Sequence, residues 1–282
     1  NRIKNNWKFY LFVMIKYFIK LPFLKRLIPS ITTRYFKLLK KNRDYFKVGN
    51  INFYLDYLDP IDRQIILNKD YENDLVFFLE KRMKEDSFSY FLDIGSNSGY
   101  YSFYFADKFK DLKVKAFEPN IDAYNKFKKT LIKNFFKNIE IFNFGLSDAN
   151  RKVKIRSMIK NGFVQSNSAV LDSSHKFDFK DFEIKEATLK VGDDILNFRN
   201  KKLSIKIDVE GHEIYTLKGL LDILKHNKCL LLIEISDNNF KKVNNFLKMI
   251  NYRHIFKSEC KLDYIYTNFN SDRNQLWKYF QQ

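Results

Sequence analysis

The chain has 282 residues, 45% hydrophobic and 17% aromatic, which is enough apolar material for one large core or two small ones and excludes global disorder. Its two cysteines, Cys229 and Cys260, provide neither a disulfide framework nor a C-x-x-C metal pattern, so a reducing, cytoplasmic setting is expected. The net charge of +18 suggests nucleic acid or an anionic surface, although abundant Lys, Asn, Ile, Phe and Tyr with scarce Gly and Pro are also what an AT-rich coding sequence yields.

Residues 1–48 hold thirteen Lys or Arg against one acid, Asp44, a net +12 that leaves +6 for the remaining 234 residues. Coding bias acts along the whole chain and does not produce that asymmetry. Within the segment Trp7, Tyr10, Leu11, Met14, Phe18 and Leu21 recur at helical spacing, flanked by Lys8, Lys16, Lys20, Lys25 and Arg26, and Pro22 ends or kinks the helix. A basic aromatic helix of this kind suits an anionic membrane surface, which would place the protein peripherally at the inner face. The plainer alternative is a helix packed on the main domain with its lysines in water. No stretch reaches the roughly 18 apolar residues of a membrane span. Lys16 interrupts the apolar run and no small-x-small site follows, so no signal peptide is expected.

Residues 49–86 read as a helical approach segment in which Asp70 caps a helix from 71 to about 84, with Leu75, Phe78 and Leu79 inward. Over 87–270 short apolar runs at 90–94, 114–117, 139–144, 203–209 and 230–235 alternate with helical stretches at 99–109, 121–135, 212–225 and 238–250. Residues 253–257 and 262–267 flank Ser258-Glu259-Cys260-Lys261 as an antiparallel hairpin. The pattern predicts an α/β fold, a mostly parallel sheet closed by the hairpin. Residues 158–186, rich in Ser, Asn and Asp, interrupt the alternation and are expected to form a substrate-contacting loop or lid. Residues 271–282 form a tail.

The sharpest motif is Phe91-Leu92-Asp93-Ile94-Gly95-Ser96-Asn97-Ser98-Gly99-Tyr100, where a buried strand meets a helix. Small residues there let the backbone approach a ligand at the carboxyl end of the strand. Nineteen residues beyond Gly99 stands Glu118, followed by Pro119 and Asn120; an acid at the tip of the second strand can accept hydrogen bonds from both ribose hydroxyls. A dinucleotide site favours G-x-G-x-x-G around a pyrophosphate, whereas this loop is D-x-G-x-N-x-G and lacks the third glycine. Asp93 is awkward beside a pyrophosphate but suits the ammonium of S-adenosylmethionine, which carries no phosphate.

These blocks, with Asn143-Phe144-Gly145-Leu146-Ser147-Asp148 and Lys206-Ile207-Asp208-Val209-Glu210-Gly211-His212-Glu213, follow one another as in the FkbM-type S-adenosylmethionine-dependent methyltransferases, and the chain resembles that family from about 71 to 235. The resemblance implies a seven-stranded Rossmann-like class I methyltransferase fold. It implies that Asp93, Gly95, Asn97 and Gly99, in a block that also carries Ser96 and Tyr100, line the methionine end of the cofactor. Glu118, with Pro119 beside it, would meet the ribose, and Asn143 and Ser147 would lie near adenine. Ser96 stands where the family usually has Ala, and Gly192-Asp193-Asp194 replaces the usual Leu-Asp-Asp; the basic N-terminal segment is not part of the shared domain.

At the reaction end, Asp208, Glu210 and His212 sit at the carboxyl end of the fourth strand and Glu234 ends the fifth next door, so the four are the candidate catalytic residues. Asp208 is the first choice for orienting the acceptor or taking its proton, and His212 is the alternative base or else a solvent-facing helix residue. Lys206 alternates with Asp208 and is expected on the same side of the sheet, pairing the acids or touching substrate. Carboxylates with His could also bind Mg²⁺ or Ca²⁺, but no metal site is assigned. With prolines only at 22, 29, 60 and 119 the [N/D]-P-P-[Y/F] turn of base-amine methylation is absent, and neither cysteine is placed for cytosine C5 chemistry. The leading expectation is O-methylation of a hydroxyl on a small molecule or glycan: a glycan, lipid-linked sugar or secondary metabolite. A membrane-surface module with a vestigial cofactor fold is the second reading and a nucleic-acid methyltransferase the third; flotation with and without residues 1–48, and steep salt dependence, discriminate them.

Overall fold

The computed structural model describes residues 42–160, 163–171, 179–258 and 262–269. The proposed basic helix before residue 42, Cys260 and the tail lie outside them. The chain divides into two compact units, one ending at Tyr71 and the other beginning at Glu72.

In the first unit a hairpin pairs β1 (Arg43–Val48) with β2 (Ile51–Asp56) and leads into α1 (Pro60–Asn68). Asp59 caps that helix through the amides of Ile61 and Asp62, and Pro60 occupies the first helical position, where no amide partner is lost. The expected approach segment is therefore not all helical, because alternating Ile51, Phe53 and Leu55 are buried as a strand.

The second unit opens with α2 (Asn73–Asp86), which begins later than expected: Glu72, in left-handed backbone, holds the cap position without a side-chain cap, and Asp70 does not serve there. Leu75, Phe78 and Leu79 are buried as expected. Then follow β3 (Tyr90–Ile94), α3 (Tyr100–Lys108), β4 (Lys113–Phe117), α4 (Ile121–Asn134) and β5 (Ile139–Phe142). An insertion supplies β6 (Gly145–Ser147), β7 (Arg151–Lys160), β8 (Phe163–Val170), β9 (Phe182–Val191) and the short α5 (Gly192–Ile195). The alternation resumes with β10 (Lys202–Ile207), α6 (Glu213–Lys218), α7 (Leu221–His226), β11 (Lys228–Glu234), α8 (Asp237–Met249), β12 (Arg253–Lys257) and β13 (Asp263–Thr267). The main sheet has seven strands in the order β12-β13-β11-β10-β3-β4-β5. Every pairing from β11 to β5 is parallel, and the closing β12–β13 hairpin is antiparallel. Leu203, Ile205, Ile207, Leu231 and Ile233 are all fully buried, as a parallel sheet covered on both faces requires.

Two further expectations are corrected. The expected helix at 212–225 is two short helices, broken where a side chain on Gly219 would meet the Ser147 carbonyl at 1.8 Å. The described parts of 158–186 are mostly strand rather than loop, because β6, β7, β8 and β9 form a second sheet in the order β6-β9-β7-β8; residues 161–162 and 172–178 lie outside the described residues. Val153 and Ile155 alternate with Lys152, Lys154 and Arg156 along β7, the period of a strand with one buried face. The Gly192-Asp193-Asp194 departure also has a local reason. Asp193 accepts the amides of Asp222 and Ile223 at 2.8 and 3.0 Å, which caps α7, and a side chain on Gly192 would press on Leu220 at 2.5 Å. Among the described residues no helix is long and apolar enough to cross a membrane.

Candidate active site

The loop between β3 and α3 is built from backbone that few side chains tolerate. Gly95, Asn97 and Gly99 have φ of +81°, +49° and +86°. A Cβ on Gly95 would stand 1.8 Å from the Asp208 carbonyl oxygen, and one on Gly99 would meet the Phe127 ring at 2.5 Å. The loop amides turn inward: Gly95 and Ser96 donate to the Phe117 carbonyl, and Gly99 donates to that of Ser96. They are spent on the fold, an arrangement unlike the free amide cradle that a pyrophosphate needs. Ser96 Oγ and Asn97 Oδ1 are by contrast buried and without a hydrogen-bond partner among the described residues. Two orphaned polar atoms beside glycines that cannot carry a side chain fit a polar, phosphate-free ligand.

Two buried carboxylates flank the loop. Asp93 is enclosed on β3, and its Oδ2 accepts Ser102 Oγ at 2.6 Å and the Ser102 amide at 3.1 Å. Burial raises its pKa, opposed by the Lys206 cation. Glu118, just past β4, accepts the Asn97 amide on one oxygen and the Asn120 amide on the other, both at 2.8 Å. A carboxylate has about four acceptor sites, so capacity remains for hydroxyl donors. Burial pushes the Glu118 carboxyl up to about 7. Pro119 follows it, half-buried, and Tyr100 opens α3, buried. Asn143, exposed past β5, donates to the carbonyls of Glu118 and Pro119 at 2.9 and 3.3 Å and ties the two strand ends together.

The next strand brings the second cluster alongside. Lys206 pairs in register with Asp93, is nearly fully buried, and donates to Asp208 Oδ2 at 2.8 Å; its Nζ also lies 5.1 Å from the centre of the Tyr101 ring. Desolvation opposes its charge, but Asp208, Asp93 and Glu72 outweigh it and raise the lysine pKa. Tyr101 in turn donates to Glu72 at 2.8 Å. The β10–β11 register runs through Ile207 and Ile233, so Asp208 and Glu234 follow at neighbouring strand ends, and Glu234 stands opposite Asp263 on β13. Burial, reinforced by Asp208 and Asp263, pushes the Glu234 carboxyl up to about 8.

The remaining candidates group differently. Glu210 is exposed in a left-handed turn (φ +50°) braced by Glu213, which accepts the Gly211 amide at 2.6 Å and Asn239 Nδ2 at 2.9 Å. His212 is not solvent-facing. It is buried, 2.9 Å from Ser147 Oγ, and stacked on Tyr215, and burial pushes its pKa down to about 4. Ser147, fully enclosed, also meets Asp148 and Arg151. The fold thus gathers Asp93, Ser96, Asn97 and Glu118 around one loop with Asp208 and Glu234 adjoining, and holds Ser147 and His212 together in a separate network. Ser102, Asp263 and the Glu72–Tyr101 pair carry no motif signal; only strand pairing and helix packing reveal them. Among the described residues no group of three His, Cys, Asp or Glu side chains is arranged to hold a metal ion. Cys229 is buried, with its thiol pushed up to about 12 by desolvation, which leaves it inert as a nucleophile at neutral pH.

A seven-stranded sheet of this order, with a glycine-bounded loop after its central strand and an acid at the tip of the next, defines a class I Rossmann-like methyltransferase. The family profile described as Methyltransferase FkbM domain matches residues 93–266, and the chain belongs to that family as an S-adenosylmethionine-dependent methyltransferase. No curated protein matches it significantly. Solved structures similar to it include a precorrin-6y C5,15-methyltransferase from Geobacter metallireducens, at 13% identity and TM-score 0.42, covering 72% of this chain and 90% of that one. An rRNA methylase from Streptococcus thermophilus is similar at 12% identity and TM-score 0.40, covering 69% and 92%. The TYW2 protein of M. jannaschii in complex with AdoMet is similar at 12% identity and TM-score 0.37, covering 80% and 84%.

Proposed function

We propose that the enzyme methylates a hydroxyl of a glycan, a lipid-linked sugar or a secondary metabolite, with Asp208 and Glu234 serving the acceptor. The observation that carries this reading is the packing of Gly95 against the Asp208 backbone, which leaves no gap between the cofactor loop and the first acceptor residue. Asp93, Gly95, Ser96, Asn97, Gly99 and Tyr100 would hold the methionine end of S-adenosylmethionine, Glu118 and Pro119 the ribose, and Asn143 the side toward adenine. The cofactor supplies a methyl carbon made electrophilic by its sulfonium. The chain's own task is alignment and proton removal. The Asp208 carboxylate, fixed by Lys206, accepts the hydrogen bond of the acceptor hydroxyl; the Glu234 carboxylate takes the proton as the oxygen forms its new C–O bond. His212, neutral and bonded to Ser147, holds the turn that carries Asp208 and Glu210 rather than acting as the base.

Transfer of labelled methyl to a panel of glycan and lipid-linked acceptors tests this. The expected product is a base-stable methyl ether; label on nitrogen or carbon overturns the assignment. Because Glu234 is protonated below about 8, transfer is expected to rise with pH through that value, and Glu234→Gln is expected to be slow at every pH while binding S-adenosylhomocysteine normally. Cofactor affinity carries its own pH dependence. Ribose hydroxyls favour the ionised Glu118, so binding expels a proton and S-adenosylhomocysteine affinity is expected to rise with pH through about 7. Calorimetric titration of Glu118→Gln should be flat over that range; an unchanged slope would remove Glu118 from the ribose. The cysteine usage supports a cytoplasmic location, and the net +12 of residues 1–48 supports a peripheral contact with the inner membrane surface.

A further inference from the structure

The C-terminal end of α4 presents apolar side chains to water among exposed lysines. Phe135 is 84% exposed, more than any other large hydrophobic residue among those described, and Ile132, one turn earlier, is 65% exposed. Phe135 also occupies left-handed backbone at φ +57°, where Gly or Asn is the comfortable residue and a bulky aromatic is an outlier. Its neighbour Phe136 turns inward onto Phe103, with ring centres 5.4 Å apart, so the turn is anchored by one ring while the other projects. Around the projecting pair Lys128, Lys129, Lys133 and Lys137 are all exposed, and no acid occurs between Asp122 and Glu140. Asn138 donates to the carbonyls of Ala106 and Leu112 at 3.2 and 3.1 Å, which fixes this tip to the turn after α3.

We propose that this helix end is a docking tip for an anionic lipid surface, with Phe135 and Ile132 entering the headgroup layer and the four lysines meeting lipid phosphates. Charge decides among the occupants. A second copy would set four lysines against four, and the chain's own basic segment, residues 1–48, is repelled in the same way. A nucleic acid could use the lysines and stack on Phe135, but it has no use for the branched aliphatic Ile132; an interfacial layer accepts both apolar side chains. The tip stands at the amino-terminal edge of the sheet, opposite Glu118 and Asp208, so docking there leaves the active site open. The inference rests neither on hydroxyl methylation nor on the contact assigned to residues 1–48.

The test uses the full chain with phosphatidylcholine vesicles, with and without phosphatidylglycerol. Phe135→Trp is expected to give a blue-shifted emission quenched by brominated lipid with the anionic vesicles alone, over the signal of the parent chain. Phe135→Asp, and separately Lys128→Glu/Lys129→Glu/Lys133→Glu, are expected to weaken vesicle partition by about tenfold or more, in variants whose far-ultraviolet circular dichroism matches that of the parent chain. Partition unaltered in both variants, or an emission spectrum of Phe135→Trp that vesicles do not move, overturns the proposal even if the parent chain still floats. Variants that lose RNA binding and keep vesicle partition overturn it in favour of a nucleic-acid contact.

Discussion

Gly95→Ala is expected to abolish measurable cofactor binding, a loss of at least about 100-fold in S-adenosylhomocysteine affinity, corresponding to about 2.7 kcal/mol. Two effects add. Alanine at φ +81° carries the left-handed penalty of about 1–2 kcal/mol, and its Cβ would stand 1.8 Å from the Asp208 carbonyl oxygen, a contact that has to be relieved by backbone movement. Neither backbone is free to give way. Asp208 donates its amide to Ile94 at 3.0 Å, and Gly95 and Ser96 donate theirs to Phe117 at 2.9 and 3.1 Å. The loop and the Asp208 turn therefore have to part, which misplaces Ser96 and Asn97. Gly211→Ala is the control: its φ of +98° is as strained, but no atom lies within 4 Å of the added Cβ, so affinity should change little. Calorimetric titration of both variants decides the matter. Gly95→Ala binding within threefold of the parent would show that the close approach does not shape the cofactor site.

Lys206→Met is expected to cost about 3–5 kcal/mol of stability, the usual penalty for removing one member of a buried ion pair, and to silence transfer. Lys206 is 6% exposed, bonded to Asp208 and in register with Asp93, so its loss strands two carboxylates at once. The pH dependence identifies the mechanism. Burial already holds Asp93 above its ordinary value, and the lysine opposes that shift. Without the cation the folded-state pKa of Asp93 rises further above the unfolded one. A raised carboxyl favours the fold only while protonated, so the variant should lose stability as pH rises from the unfolded carboxylate range toward neutrality and recover part of it in acid. Denaturant unfolding at acid and neutral pH measures this. A deficit independent of pH would mean that Lys206 acts by packing alone. Adding Asp208→Asn to Lys206→Met should return part of the loss, because one stranded charge is removed.

The parallel strands are legible in the sequence because a sheet covered on both faces demands unbroken apolar runs, and 90–94 and 230–235 contain almost nothing else. The cofactor loop is legible for a related reason: only glycine serves where a backbone must approach another chain segment or a ligand, so Gly95 and Gly99 mark the place. The inserted sheet reads as a loop because 158–186 is rich in Ser, Asn and Asp; one buried face per strand leaves a pattern that resembles solvent-exposed chain. The Asn161-Gly162 pair, the strongest short hairpin signal, lies in the sequence between β7 and β8 and is the one local mark of their pairing.

From the order of its residues alone, then, a mostly parallel α/β fold with Asp93 and Glu118 at consecutive strand tips is determined, since strand period, helix period and glycine positions are local properties of the chain; the methyltransferase reading comes from the resemblance of its motif blocks to the FkbM-type family. The sequence leaves open whether Lys206 pairs the acids or touches substrate; tertiary structure decided that it bonds Asp208 beside Asp93, that Asp263 faces Glu234, and that His212 closes on Ser147 instead of facing solvent. Those pairings depend on strand order and register, which bring together residues as far apart in the chain as Asp93 and Lys206, and their chemistry depends on burial, which raises or lowers a pKa only after the surrounding core has formed.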